Sequence, residues 1–113
     1  MKFIITGKNI EVTAGLRSAV EEKSGKLDKY FNDEVTANVT LSVEKERQKI
    51  EVTIPIKGNI IRAEEVSNDM YVSIDLVEEI IERQMRRYKT RLVNAKQAAA
   101  EFSKTYIEDD YED

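Results

Sequence analysis

Residues 35–43 read Val35-Thr36-Ala37-Asn38-Val39-Thr40-Leu41-Ser42-Val43, with small or branched apolar side chains at every odd position and polar ones between. That strict period of two is the mark of a β-strand with one dry and one wet face. After a polar turn at residues 44–48 the alternation resumes in Ile50, Val52, Ile54 and Ile56, interleaved with Glu51, Thr53 and Lys57, so the two segments form a hairpin. Pro55 has no amide hydrogen and needs an outward-facing nitrogen or a bulge. Gly58-Asn59 turns the chain again, and residues 60–66 make a further strand, whose register the adjacent Ile60 and Ile61 leave open.

Upstream, residues 2–6, with Phe3, Ile4 and Ile5, are a short apolar run that fits a buried strand, followed by a turn at residues 7–9. Thr13 is placed to cap a helix in which Leu16, Ala19, Val20, Leu27, Tyr30 and Phe31 recur at helical spacing, ending near Asn32 and Asp33. Lys23 falls on that stripe, where a snorkelling stem could cover the core and still present its ammonium at the rim. Downstream, Ser67 to Asp69 supply cap candidates for a second helix whose core line runs through Ile74, Val77, Ile81, Met85, Tyr88, Leu92 and Ala95. The order is β-α-β-β-β-α: an α+β domain over residues 1–100 with two helices packed on one face of a four-stranded sheet. The first crossover makes strands one and two parallel, and the other neighbours are antiparallel. Residues 101–113 are expected to be an acidic, disordered tail.

The second helix is divided by charge. From Asp69 to Glu82 it carries five acids and no base, and from Arg83 to Lys96 six bases and no acid. Favourable pairs Glu79–Arg83 and Glu82–Arg86 account for part of this, but Arg83, Arg87 and Arg91 form an i,i+4 row of like charge, each repulsion costing about 0.2–0.5 kcal/mol. Such a row points to a polyanionic partner. Arg83, Arg86 and Arg87 lie opposite the core line, while Lys89 and Arg91 flank it. On the first helix Arg17, Lys23, Lys26 and Lys29 are a second, weaker group, interleaved with Glu21, Glu22 and Asp28. Tyr71 and Tyr88 read as packing residues.

The formal net charge of −4 is no objection, because the five excess acids from residue 101 onward conceal a body of +1, and steering depends on the local field. With no cysteine and no histidine, thiolate metal sites, thiol nucleophiles and the usual proton shuttle are excluded together. The acids show no metal-binding or acid–base spacing, the glycines form no phosphate loop, and the serines at 18, 24, 42, 67, 73 and 103 read as surface or capping residues. No catalytic role, cofactor, metal or small-molecule substrate is therefore expected. There is no membrane-length apolar run and no signal-peptide pattern, so the expected location is the cytoplasm.

Two blocks carry a resemblance. Ile5-Thr6-Gly7-Lys8-Asn9-Ile10-Glu11-Val12-Thr13, with Leu16-Arg17, Lys23, Lys26-Leu27 and Tyr30-Phe31, is similar to the opening of the ribosome hibernation-promoting factors, or ribosome-associated inhibitors. Asp69-Met70-Tyr71, Ile74-Asp75 and Glu82-Arg83-Gln84-Met85 with Arg87 and Lys89 resemble that family's second helix. The resemblance spans roughly residues 2–95. It implies a fold like that of double-stranded RNA-binding domains, and a factor that occupies the messenger- and transfer-RNA (A- and P-site) channel of the small ribosomal subunit, blocking translation without chemistry. It further implies ribosomal RNA contacts from Arg17, Lys23, Lys26, Arg83, Arg87, Lys89 and Arg91; Arg86, which is added to this set, and Lys29 sit where relatives are often uncharged. Short members act alone, and long members add a C-terminal domain that joins two ribosomes, so the acidic end is a short-form tail or the start of a linker. The alternatives are a general structured-RNA binder and a module that docks an acidic protein.

Overall fold

The structure, a computed structural model, describes residues 1–31 and 34–106, with side chains described to residue 89. It has two units, Met1–Arg83 and Gln84–Asp113.

In the first unit four strands, β1 (Lys2–Lys8), β2 (Thr36–Glu44), β3 (Arg47–Ile56) and β4 (Asn59–Ser67), lie in the order β1-β2-β3-β4. β1 is parallel to β2, as a helical crossover requires, and the other two pairings are antiparallel. The register stacks the inward residues in rows: Val39 faces Val52, which faces Ala63; Leu41 faces Ile50; Ile54 faces Ile61. All of these are buried. The same rows settle the Ile60–Ile61 ambiguity, since Ile61 is inside and Ile60 is 55% exposed.

β1 corrects the expectation of a buried strand. It is an edge strand with only β2 beside it, so Phe3 and Ile5 are half-buried and Ile4, on the wet face, is 56% exposed. The predicted five-residue turn after β2 is shorter, with β3 already paired at Arg47 opposite Glu44. Lys45 there adopts φ 58°, a left-handed conformation that the tight reversal imposes. Pro55 is accommodated without a bulge, because pairing of β3 with β2 ends at Thr53.

Helix α1 (Ala14–Gly25) starts where Thr13 Oγ1 accepts the Leu16 amide at 3.1 Å. It ends earlier than the apolar spacing suggested. A tighter 3-10 segment, Lys26–Tyr30, takes over and still delivers Leu27 to the core. Helix α2 (Met70–Tyr106) is capped by Asp69, whose Oδ1 accepts the Tyr71 amide at 2.9 Å. In the first unit its inward side chains are Met70, Ile74, Val77 and Ile81, which with Leu16, Val20, Leu27 and the sheet rows make the core.

Ser73 is no surface serine. It is fully buried, its Oγ donates to the Gln48 carbonyl of β3 at 2.7 Å, and Ser67 Oγ lies 2.7 Å away. A buried hydroxyl is tolerable only with such partners, and here it ties α2 to the sheet. Ser24 is buried as well.

The second unit is the continuation of α2, with Met85 buried, Tyr88 half-buried, and Arg86, Arg87 and Lys89 exposed. The helix runs through Tyr106, into the stretch expected to be a tail; residues 107–113 lie outside the described residues, as do the side chains of Arg91, Leu92 and Ala95.

Candidate nucleic-acid interface

Three cross-contacts fix α1 and its 3-10 extension beside α2 in the first unit. Tyr71 Oη lies over the first turn of α1, where a Cβ on Gly15 would meet it at 3.1 Å. One turn further along α2, Asp75 Oδ1 is 3.2 Å from Lys23 Nζ. Two turns beyond that, Tyr30 Oη donates to Glu82 Oε1 at 3.3 Å. Partner numbers rise together on both sides, so the two helices run parallel and the seam is laced along its length.

The sequence-predicted cations of this unit are distributed unevenly. Arg17 is exposed and paired within its own helix to Glu21 at 3.5 Å. Lys23 serves the seam while remaining 44% exposed, so it presents charge at the rim. Lys26 is exposed and acts on Glu78 of α2. Lys29, of the doubtful set, sits over the Tyr30 ring at 5.3 Å. The expected Glu79–Arg83 pair does not form, and among the described residues Arg83 carries no ion pair.

In the second unit Arg87 is likewise exposed and without an ion pair among the described residues, whereas Arg86 and Lys89 each take part in a side-chain interaction. Arg91 is helical, one turn beyond Arg87. A guanidinium left unpaired on a helix surface keeps its five donors for an outside anion.

The exposed face of the sheet behaves differently. Lys49 bridges Glu51 at 2.8 Å and Glu64 at 3.4 Å. That bonding raises the Lys49 pKa and holds the Glu51 carboxyl below its usual range. There a single ammonium is shared between two carboxylates.

Glu78 shifts the other way. Burial raises its pKa first, and the neighbouring Glu82 carboxylate, one turn on, raises it further; Lys26 only partly compensates. A carboxyl with a raised folded-state pKa contributes stability below the ordinary carboxylate value and loses it as pH rises through the folded value. At pH 7 the charged Glu78 therefore weakens the fold. Glu78→Gln should raise stability at pH 7 by about 0.2–0.5 kcal/mol, the scale of an i,i+4 like-charge pair, and flatten the decline from pH 4 to 7. Thermal melts at several pH values check this, and an unchanged or lower melting temperature at pH 7 would refute it.

Among the described residues no group of acids is arranged to hold a metal, and no helix is long and apolar enough to cross a membrane. The seam partners Asp75, Glu82 and Tyr30 were not singled out as site residues by spacing alone. Their one trace in the sequence was that all three sit within the two blocks of resemblance.

Residues 3–93 match the family model described as sigma 54 modulation protein / S30EA ribosomal protein. The chain belongs to this family. Within it, the chain is 60% identical over 95 residues to a ribosome hibernation promotion factor of Lactococcus lactis subsp. cremoris, and 45% identical over 95 residues to one of Staphylococcus aureus. Each match covers 81% of this chain, and 51% and 50% of the relative respectively, so the chain spans about half the length of the curated relatives it matches. The crystal structure of the Thermus thermophilus Protein Y N-terminal domain superposes with a TM-score of 0.73 at 32% identity, covering 78% of this chain and 99% of that one. A ribosomal subunit interface protein from Coxiella burnetii shares the fold, with a TM-score of 0.70 at 23% identity over 80% of this chain and 99% of its own. The α+β fold of this S30EA-family chain is thus that of Protein Y's N-terminal domain.

Proposed function

We propose that this chain is the ribosome-binding part of a bacterial ribosome hibernation factor, acting in the cytoplasm. It enters the messenger- and transfer-RNA channel of the small subunit and silences translation by occupancy, with no reaction at any side chain. Arg17, Lys23 and Lys26 of the α1 segment, and Arg83, Arg86, Arg87, Lys89 and Arg91 of α2, contact ribosomal RNA. The observation that carries this is the exposure of Arg83 in the first unit and of Arg87 in the second, each without an ion pair among the described residues, in a chain 60% identical to a hibernation promotion factor.

The chemistry fits the target. Ribosomal RNA is held in a fixed shape, so phosphate and sugar contacts from helical cations can position the protein without reading base edges. Arginine forks grip phosphate oxygens bidentately.

Co-sedimentation with purified small subunits at two salt concentrations tests the reading. About five phosphate contacts, each contributing a slope near −0.9, imply a several-hundred-fold loss of affinity between 50 and 200 mM salt. Excess free duplex RNA should not displace the protein. Salt-independent binding would contradict the phosphate contacts, and displacement by duplex RNA at equal nucleotide concentration would favour a general structured-RNA binder.

A further inference from the structure

Tyr71 stands out on α2 because it does not do what its neighbours do. Met70, Ser73 and Ile74 are buried, whereas Tyr71 is 50% exposed and Val72 beside it 44% exposed. An aromatic ring used only for packing would turn its faces inward. Here the ring reaches across to α1 instead: its backbone amide is tied to the Asp69 cap at 2.9 Å, and its hydroxyl lies over the first turn of α1 at Gly15. Gly15 matters for that placement, since any side chain there would press on the hydroxyl. A tyrosine ring has only two side-chain torsions, so it loses little entropy when something stacks on it.

The neighbouring rung of the seam supplies charge. Asp75 follows Tyr71 by four residues, about 6 Å along the axis, and holds Lys23 at 3.2 Å with the lysine still 44% exposed. An ammonium has three donors, so Lys23 can keep Asp75 and accept a phosphate oxygen as a further partner. An aromatic face on one rung of the seam and a cation on the next suit the base and the phosphate of a single unpaired nucleotide.

We infer that Tyr71 is a stacking platform for an unpaired nucleobase of ribosomal RNA, with Lys23 receiving the phosphate of the same nucleotide. This rests on the ribosomal RNA reading above and adds to it a contact that is not electrostatic. Backbone cations alone give binding that falls steeply with salt, whereas a stacked base adds affinity that salt does not remove.

That difference is the test. Affinity of the full chain for purified small subunits is measured across a salt series for the wild type, Tyr71→Ala, Tyr71→Phe, Tyr71→Leu and Arg83→Gln. Tyr71→Ala and Tyr71→Leu should each weaken binding by about five- to one-hundred-fold at every salt concentration, with the slope unchanged. Tyr71→Phe keeps the ring face and should stay within about two-fold of the wild type. Arg83→Gln should lower the slope by about 0.9. Tyr71→Leu keeps apolar bulk, so its loss of affinity with an unaltered melting temperature separates stacking from folding. Wild-type affinity in Tyr71→Leu, alongside a weakened Arg83→Gln, would overturn the platform and leave the ribosomal reading standing. A reduced slope in Tyr71→Ala would also overturn it, showing that the ring acts through Lys23. Absence of wild-type binding at low salt would remove both.

Discussion

Reversing Arg83, Arg87 and Lys89 together to glutamate weakens binding to small ribosomal subunits by at least about a hundred-fold and leaves the melting temperature close to that of the wild type. All three side chains are exposed, and substitutions at such positions usually change stability by no more than about 0.5 kcal/mol. Arg83 and Arg87 have no ion pair to lose among the described residues. Each lost charge-assisted hydrogen bond to phosphate is worth about 1.5–3 kcal/mol, and three together exceed a hundred-fold before the added repulsion counts. The salt slope should fall by about 2.7. Sedimentation of the variant with small subunits, beside a thermal melt, checks both halves. Undiminished binding by a folded variant would show that these cations do not face the RNA.

The converse result is expected at Ile81. Its side chain is 0% exposed and lies on the inward line of α2 with Ile74 and Val77, two residues before Arg83. Truncation to alanine removes apolar area and leaves a cavity that a close-packed core only partly refills, at about 2–5 kcal/mol. Against a total of about 5–15 kcal/mol for a domain, that is a large fraction. In urea the midpoint should fall sharply with an unchanged slope, while the molecules still folded bind small subunits with near wild-type affinity. A midpoint within experimental error of the wild type would mean that α2 is not anchored through this residue. The two variants separate the helix as a structural element from the helix as a binding surface.

The sheet was legible because its signal is local. Period-two alternation in residues 35–43 and 50–56 survives any context, and Thr13 and the Ser67 to Asp69 group announced the helix starts through short-range caps. What escaped depends on residues far apart in the chain. Nothing within residues 2–6 says that β1 is an edge, so the exposure of Ile4 could not be foreseen. The apolar spacing through Leu27, Tyr30 and Phe31 is compatible with an α-helix or a tightened 3-10 turn, and the structure has the second, with Leu27 buried. Ser73 reads as polar until Gln48, 25 residues away in sequence, meets it as an acceptor.

The candidate site divides in the same way. Charge segregation on α2 is a sequence property, and the structure leaves Arg83 and Arg87 exposed as that pattern suggested. The i,i+4 logic overstated Glu79–Arg83, because a surface ion pair gains little and gives way to solvation. Lys23 was marked by its place on an apolar stripe, but its partner Asp75 lies 52 positions downstream. Tyr71 read as packing because helical spacing places a residue on a face without saying whether another element covers that face.

A density map of this chain bound to the small ribosomal subunit tests the central claim most directly. The account predicts α2 in the messenger-RNA channel, with the Arg83 and Arg87 guanidinium groups within hydrogen-bonding distance of ribosomal RNA phosphates. A map with the exposed face of the sheet against RNA and those arginines in solvent, or with the chain outside the channel, would contradict it.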